Sequence, residues 1–470
     1  MAQNFLSCDR EQTFLMPPSL SEWLPEGHLA WGVIDAVEEM DLGAFYASYR
    51  ADGWGGAAHD PEMMVALLLY AYATGERSSR RIERRLAEDV AYRVIAANQI
   101  PDHATIARFR SRHETALAEL FGQTLSLCAK AGMVSVGLLA LDSTKLAADA
   151  SGQANRSYEQ VAREIVAEAG VIDAREDELY GEARGDELPA ELRERRSRRE
   201  RLRVAKRELE RERAESGSAV PRERRARLVE AKRRLDEEHA VKLEAAREHE
   251  VWRRQRAGEL AGEGKKMPGR PPKPSAPPVS PSGRANTTDP DSRPVKTHRG
   301  FIQGYNAQAV ATAEQIIVAA EIPAGCSDGD QLVAMVGAAR QELERAGLAE
   351  RPEVVLADAG YWNRSEIERL EAQGIEPLVP PDGHRRGNQL KRRAGPYAKM
   401  RAALASERGA RLYRRRQQII EPVFAQTKVT RRADRFQRRG LAACRSEWKL
   451  IAASHNLLKL HRHRPSPAIA

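Results

Sequence analysis

The first part of the sequence places apolar residues at helical spacing. Residues 61–74 are apolar on all sides, which indicates a buried helix. Asp60 and Pro61 predict where this helix begins, because they suit the N-cap and the first helical position, and Gly75 predicts where it ends. The pattern therefore indicates a helical region rather than a sheet.

Two more helices are expected in the same region. Ser78 and Ser79 are candidate caps for the basic segment RRIERRLAED, and Asp102 is a candidate N-cap for a longer helix that ends at Gly132. The longer helix is supported by a spacing near 3.6 residues, shared by Ile106, Phe109, His113, Leu117, Leu120 and Leu127. We therefore expect an all-α domain over residues 1–135.

Short helices followed by a longer helix with basic first turns resemble a helix-turn-helix arrangement. On this interpretation Arg108 and Arg110 contact DNA, and residues 1–135 form a DNA-binding domain. Many structural helical bundles have the same pattern, so a bundle without DNA contacts is the alternative.

Beyond this region the pattern changes to short apolar runs that are typical of strands. The segment VGLLALDSTKL (136–146) indicates a buried strand, and GYNAQAVATAEQIIVAAEIPAG (304–325) indicates two more. The further elements are expected as a helix over 331–346 opened by Asp328 and Asp330, a strand over 353–361, a short helix from Ser365 and a strand over 375–380. Strands and helices in this order predict an α/β sheet.

A long charged stretch interrupts this sheet after its first strand. Residues 152–261 are rich in Glu, Arg and Ala, with sparse apolar positions. The segment SGSAVP (216–221) predicts a turn, so helices over 190–215 and 222–260 are expected to form an antiparallel hairpin or coiled coil. The hairpin is interpreted either as a spacer that also supports oligomerisation or as an arm that clamps DNA.

These boundaries divide the chain into four regions. They are a helical N-terminal domain over 1–135, an α/β domain formed by 136–151 and 286–470, a charged helical hairpin over 152–261, and an exposed Pro-rich linker over 262–285.

Composition narrows the class of protein. The longest apolar run, MMVALLLYAYA (63–73), is too short to span a bilayer, so no membrane partner is expected. The four cysteines are far apart and form no C-x-x-C pair, which indicates neither a zinc site nor a disulfide framework. A reducing cytoplasm is the simplest location.

The net charge of +9 is unevenly distributed along the 470 residues. Residues 383–464 hold 23 Lys and Arg and four acids, a net of +19, so the rest of the chain is acidic. Such a polycation binds phosphate by releasing counterions. Apolar residues at helical spacing, such as Ile419, Ile420, Val423 and Phe424, argue against an unstructured tail. We therefore expect this region to contact nucleic acid.

Three acids are candidate metal ligands. Asp142 ends the apolar run LLALD and Asp358 ends VVLAD, at the sheet edge where α/β proteins bind ligands. Glu421 is nearly alone among basic residues in RRRQQIIEPVFAQTK. Three converging carboxylates can hold two hard divalent cations and promote phosphoryl transfer. Taken singly, each strand-end acid could equally be a loop cap.

Other polar residues have simpler interpretations. Caps or loop positions are expected for Asp149, Asp289, Asp291, Asp328 and Asp330. His455 is expected to pack inside a C-terminal helix, with a DNA contact as the alternative, and Trp362 is expected in the core or in a lid rather than stacked on a base.

Several ordered blocks resemble the DDE transposases of bacterial insertion sequences. LLALDSTKL is similar to the family's first-Asp strand, VVLADAGYWNRSEI to its second-Asp strand, and RRRQQIIEPVFAQTK to its block with the glutamate. MMVALLLYAYATGERSSRRIERRL and IPDHATIARFR are similar to the helical domain that precedes the catalytic core. The resemblance implies an α/β ribonuclease-H-like catalytic domain, an all-α N-terminal domain, a long helical-hairpin insertion, and the catalytic residues Asp142, Asp358 and Glu421.

The resemblance also implies an activity. It is metal-dependent cleavage of DNA at insertion-sequence ends and strand transfer into target DNA, with two Mg²⁺ or Mn²⁺ ions on the three acids. The implied partners are double-stranded DNA and a second copy of the chain, in a cytoplasmic, nucleoid-associated protein. The alternatives are a metal-dependent nuclease without strand transfer and a non-catalytic DNA-binding architectural protein.

Related transposases carry a Tyr-x-x-Arg-x-x-x-Glu-x-x-x-x-x-x-Lys signature that this chain matches in part. Lys428 has the expected spacing from the glutamate, whereas Arg414 and Gln417 occupy the Tyr and Arg positions, with Tyr413 and Arg416 directly before them. The DNA contacts implied for this region are Arg414, Arg416, Lys428, Arg431 and Arg432. Pro422 predicts that the helix starts or kinks beside the glutamate.

Overall fold

The computed structural model describes residues 19–49, 58–180, 224–262, 281–297, 299–381 and 395–463. The helices are α1 (Leu29–Glu38), α2 (Gly43–Tyr46), α3 (Pro61–Ala73), α4 (Ser79–Glu88), α5 (Val90–Ile95), α6 (His103–Arg112), α7 (Glu114–Lys130), α8 (Tyr158–Tyr180), α9 (Arg224–Gly262), α10 (Leu332–Arg345), α11 (Arg364–Ala372), α12 (Pro396–Ala405), α13 (Glu407–Ala425) and α14 (Leu441–Arg462). The strands are β1 (Leu138–Ala147), β2 (Asn155–Ser157), β3 (Arg284–Asn286), β4 (Arg293–Thr297), β5 (Gly300–Thr312), β6 (Ile317–Glu321), β7 (Val354–Leu356) and β8 (Glu376–Leu378).

The central sheet has two halves of different character. Its strand order is β4-β5-β1-β7-β8, and β6 also pairs with β5. β5 runs antiparallel to β1, β4 and β6, whereas β7 and β8 continue the sheet in parallel. The parallel half has helical connections, α10 before β7 and α11 before β8. The predicted α/β sheet is confirmed, with β1 at the boundary between its two halves.

The helix signals near the first domain are largely confirmed. Asp60 caps α3 by accepting a hydrogen bond from the backbone of Glu62, and Pro61 is the first helical residue. The single long helix over 100–132 is wrong, because the chain breaks at His113 into α6 and α7. His113 is buried, with its ring centroid 4.5 Å from Phe109 and 5.1 Å from Phe45, so tertiary aromatic packing holds the break.

One hydrophobic core runs from the N-terminal helices into the sheet, and α14 lies between them. Trp448 of α14 is fully buried and its Nε1 donates to the backbone oxygen of Gln308 in β5 at 2.9 Å. Asn456 exchanges two hydrogen bonds with the backbone of Ile317, as a neighbouring strand would. The C-terminal helix therefore stabilises both regions at once.

A buried ion pair also joins the two regions. Arg77, just after α3, donates to Glu447 of α14 at 2.9 Å, and both side chains are almost fully enclosed. Arg77 also donates to the backbone oxygens of Arg432 and Arg435, and Glu447 accepts from the backbone of Gln437. All these groups are therefore paired within the protein.

In the described part of the charged insertion, α8 packs against α9. Val161 of α8 packs on Leu228 and Leu235 of α9 in a small separate core. Arg224 pairs with Glu164 at 2.9 Å and also with Glu168. The predicted second helix over 222–260 is confirmed as α9, whereas the predicted helix over 190–215 lies outside the described residues.

The segment before β4 anchors the start of α14 through two aspartates, Asp289 and Asp291. Tyr305 donates its hydroxyl to both oxygens of Asp289 at 2.8 Å, and the Gly440 backbone donates at 3.2 Å. Asp291 accepts from the backbone of Leu441 and pairs with Arg234 of α9. Burial raises the pKa of Asp289 to about 6.

Within the described parts of the chain, no helix combines the length and the apolar character needed to cross a bilayer.

Candidate active site

The parallel register of β1 and β7 places the two predicted aspartates side by side. Ala140 pairs with Leu356, and the pairing ends there. Asp142 and Asp358 each follow two residues later, so they meet at the carboxyl end of the parallel pair. β1 itself continues to Ala147, close to the predicted segment 136–146, so Asp142 ends the apolar run but not the strand. The end of the parallel pairing, rather than the end of β1, marks the site.

The electrostatics of Asp142 reflect this position. Its pKa is raised to about 6, chiefly by burial and in part by the nearby charge of Asp358, although Ser143 and Arg416 oppose the shift. Asp358 also caps the turn that follows it, with Oδ1 accepting from the Gly360 backbone at 2.9 Å. Asp142 is therefore a carboxylate whose charge is only partly compensated.

Arg416 brings the third acid to the same place. Its Nη1 lies 2.8 Å from Asp142 Oδ2, and its Nη2 lies 3.9 Å from Glu421 Oε1. The guanidinium is 12% exposed, whereas the side chain of Glu421 is 55% exposed. Arg416 therefore links Asp142 to Glu421, with Glu421 at the open side, and Asp358 lies beside Asp142 at the end of the parallel pair.

The structure also shows which signature residues of α13 face the acids. Arg416 lies over the Tyr413 ring, 6.0 Å from its centroid. Burial raises the pKa of Tyr413, Arg416 opposes the shift, and the charges of Asp358 and Asp142 add to it. Arg414 and Gln417 are exposed. Each residue turns a helix by about 100°, so the one-residue shift in the sequence decides which side chains face the site.

Pro422 lies inside α13, so the predicted helix start at this point is wrong. A proline has no N–H, and the backbone oxygen four residues earlier loses its partner. That oxygen, on Gln418, accepts instead from Gln315 Nε2 at 2.9 Å. The helix then passes into a π-helical turn, Gln426–Thr430.

Lys428 lies in this π-helical turn and points back to β1. Its Nζ donates to the backbone oxygen of Lys145 at 3.0 Å, and burial lowers its pKa. It therefore fixes the end of α13 against the strand that carries Asp142.

Among the other predicted DNA contacts, Arg416 is largely buried and pairs with Asp142, and the remaining five fall into two groups. Arg108, Arg414 and Arg432 are exposed. Arg110 is buried and donates to the Arg77 backbone at 2.7 Å, and Arg431 is buried and donates to Thr427 and His455 at 2.9 Å. The last two are committed to contacts within the protein, so they do not fit the expected DNA role.

His455 and Trp362 lie where packing was expected. His455 is 1% exposed, its Nε2 donates to the Gln315 backbone at 2.9 Å, and burial lowers its pKa to about 3. The Trp362 ring is half-buried against Tyr397, 5.0 Å between centroids. Neither residue reaches the acidic cluster as a described contact.

Asp328 is the residue beside the site that sequence reasoning missed. It was expected to cap a helix, but α10 begins at Leu332 with Gln331 as its N-cap and no side-chain capping bond. Asp328 Oδ1 accepts instead from Asn306 and Gln308 at 2.6 and 3.1 Å. Asp330 is not a cap either, because it accepts from Asn363 at 2.7 Å.

A pattern in two strands could have revealed this cluster. Ser143 and Lys145 alternate in β1, and they pair in register with Gln308 and Asn306 of β5. Alternate strand residues share one face, so four polar side chains lie together within an otherwise apolar sheet. Lys145 donates to both Ser143 and Asn306.

The acids fit a divalent metal by chemistry. Carboxylate oxygens are the hard donors that Mg²⁺ and Mn²⁺ prefer. In the described arrangement no three His, Cys or acidic residues are close enough to share one ion. The guanidinium of Arg416 contacts both Asp142 and Glu421, so one ion held by these acids would need the side chains to rearrange.

Comparisons with known families agree with this geometry. Residues 18–112 match the family described as Transposase domain (DUF772), and residues 279–457 match the Transposase DDE domain. Together the two matches span more than half of the chain, and the second includes Asp358 and Glu421. No curated protein and no solved structure matches the chain.

A DDE domain implies a ribonuclease-H-like fold, and the mixed sheet with flanking helices is consistent with it. The two matches lie in the expected order, with the helical domain before the catalytic one. The chain thus belongs to the DDE transposases of insertion sequences.

Proposed function

We propose that this transposase cleaves DNA at the ends of its insertion sequence and joins the freed 3′ ends to target DNA, in reactions that require a divalent cation. The observation that carries the proposal is that Asp358 lies beside Asp142 while Arg416 contacts both Asp142 and Glu421. The family supports transposition in general, and this geometry supports the particular residues.

The metal ligands in this proposal are the three acids. When bound, two Mg²⁺ or Mn²⁺ ions would activate the attacking oxygen and stabilise the leaving oxygen of an in-line displacement. The only partly compensated charge of Asp142 favours cation binding, because a buried carboxylate is stabilised by a nearby positive charge.

The remaining roles belong to cationic residues. Arg416 keeps Asp142 and Glu421 near each other before substrate arrives. Exposed Arg108, Arg414 and Arg432 would bind DNA phosphates, where each contact adds to affinity and to its salt dependence. Lys428 would contribute by holding α13 on β1 and as a cation near bound phosphate.

The direct test is Asp358→Asn with DNA that carries the element's own ends. We expect Mg²⁺-dependent cleavage to fall by roughly a thousandfold or more, because one ligand is lost while the size of the side chain is kept. DNA binding, measured by gel shift, should remain. Asp330→Asn is the matched control, since that carboxylate bonds to Asn363 away from the acids. Cleavage by Asp358→Asn at the wild-type rate would refute the proposal.

Joined donor–target products distinguish transposition from the two alternatives. A nuclease of the same fold would cleave the ends without joining them. A non-catalytic architectural protein would bind DNA and do neither, but it gives no reason for Asp142 and Glu421 to share Arg416. The proposed active complex is a homodimer that holds two DNA ends, and light scattering of the complex with DNA would measure its stoichiometry.

A further inference from the structure

Two carboxylates border a small space at Gly360. A Cβ placed on Gly360 would lie 3.0 Å from Asp358 Oδ1 and 3.5 Å from Asp328 Oδ2. The backbone of Gly360 lies outside the left-handed region, so its conformation does not require glycine. The missing side chain therefore has a steric consequence, which is to leave the space between the two acids open.

A buried hydroxyl group belongs to the same neighbourhood. Tyr361 is fully buried, and its Oη has no hydrogen-bond partner among the residues that the structure describes. Burial raises the pKa of Tyr361, the charges of Asp328, Asp142 and Asp358 add to the shift, and the Ser143 hydroxyl opposes it. A buried polar group without a partner costs roughly 1–3 kcal/mol, which favours a further polar group at this position.

The two oxygens of Asp328 differ in their contacts. Oδ1 is held by the side-chain amides of Asn306 and Gln308. Oδ2, which faces the space at Gly360, lies 3.6 Å from Lys145 Nζ, beyond hydrogen-bond distance. One oxygen is therefore fixed by the sheet while the other keeps its lone pairs for a further partner.

The charges of the cluster do not balance. Lys145 forms an ion pair with Asp328, and Arg416 forms ion pairs with both Asp142 and Glu421. Asp358 makes no ion pair with any residue in the described ranges. Four carboxylates thus face two cations, and the excess negative charge suits a divalent cation.

We propose that Asp328 is a fourth carboxylate of the metal site, acting beside Asp358 across Gly360. The inference rests on the proposed function above, since it extends the metal site assigned there. Asp328 would supply an oxygen to the cation or to its bound water, and the Tyr361 hydroxyl would bond to the same water.

The test measures Mn²⁺ binding to the full-length protein without DNA, by electron paramagnetic resonance of the free ion. Asp328→Asn should weaken the affinity on the order of tenfold or more, and Asp358→Asn should weaken it at least as much. Asp330→Asn, from the same loop, should leave it unchanged. Thermal unfolding of each variant without metal reports whether the fold is kept.

Gly360→Ala tests the space without changing any charge. Its methyl group would meet Asp358 Oδ1 and narrow the opening, so Mn²⁺ affinity should fall with the melting temperature nearly kept. Unchanged affinity in this variant and in Asp328→Asn would overturn the proposal.

A double variant separates ligation from neutralisation of Lys145. If Asp328 only compensates that lysine, Asp328→Asn with Lys145→Gln regains wild-type Mn²⁺ affinity, and the proposal is overturned. Continued weak binding in the double variant supports it. If Asp358→Asn and Asp142→Asn also leave Mn²⁺ binding unchanged, the metal site of the proposed function itself fails.

Discussion

Two aspartates of this protein have the same raised pKa in very different surroundings. Burial raises the pKa of both Asp142 and Asp289 to about 6. Asp289 is completely enclosed, and its donors are the Tyr305 hydroxyl and a backbone N–H that belong to the fold. Asp142 borders a second carboxylate and accepts from Arg416, which also faces Glu421. A raised pKa alone therefore does not identify a functional acid. The two aspartates differ in their partners: those of Asp289 belong to the fold, whereas those of Asp142 include other charged groups of the site.

The arginines show the same contrast. Arg77 donates to Glu447 and to two backbone oxygens. Arg416 contacts two carboxylates of the site, and its buried Nε has no hydrogen-bond partner in the described part of the chain. The first arginine is bonded to groups of the fold, whereas the second has one buried donor that the described residues leave without a partner.

The largest expected effect comes from replacing Asp142 and Asp289, one at a time, with asparagine. Asp142→Asn should lower cleavage by roughly a thousandfold or more, because it removes a metal ligand. Asp289→Asn should leave cleavage by the folded enzyme within about threefold of wild type, because that residue only anchors α14. The measurement is Mg²⁺-dependent cleavage per folded molecule, and similar losses in both variants would contradict the distinction.

Replacing Glu447 tests the buried ion pair between Arg77 and Glu447. Glu447→Ala leaves Arg77 buried without its counter-ion and should reduce the free energy of unfolding by about 3–5 kcal/mol. Glu321→Ala is the control, because the Lys449–Glu321 pair is partly exposed and should contribute at most about 1 kcal/mol. Urea denaturation measures both, and equal effects would show that the enclosure of Arg77 and Glu447 has no energetic weight.

The pH dependence of stability tests the charge of Asp289. Its folded pKa lies above the ordinary value, so its protonated form favours folding, and that contribution is lost as pH rises through about 6. Asp289→Asn does not ionise, so it should gain stability relative to wild type between about pH 4 and about pH 8, by on the order of 2 kcal/mol. A stability difference that stays constant over this range would refute the raised pKa.

The smallest expected effect concerns the helix that carries Glu421. Gln315→Ala should destabilise the protein by about 1 kcal/mol, because the Gln418 oxygen left free by Pro422 loses its donor. In a Pro422→Ala background the helix can supply its own N–H, so the Gln315 effect should shrink. A double-mutant cycle with no coupling would show that this contact does not compensate for the proline.

The sequence was sufficient where local chemistry decides the structure. Asp60 and Pro61 mark the start of α3, and apolar runs before Asp142 and Asp358 mark the two strands of the site. Their proximity follows from parallel pairing, which a strand–helix–strand order already predicts.

The remaining features depend on contacts between distant segments. The helix breaks at His113 because aromatic rings pack around that residue. The burial of Arg110 and Arg431 depends on their partners in other elements. In the sequence Asp328 resembles a helix cap, because its partners Asn306 and Gln308 lie on β5 and not in its own segment. Such contacts are set by strand register and helix docking, which no short window of sequence contains.

The position of α14 has a consequence for how the protein is made. This helix closes the core against α3 and α7, and it follows α13, which carries Glu421. During synthesis the N-terminal helices and Asp142 leave the ribosome long before α13 and α14. The apolar faces of α3 and α7 that pack on α14 therefore have no partner until α14 is made. A chain that stopped before Leu441 would lack the helix that packs on α3 and α7, so its core would stay open on that side.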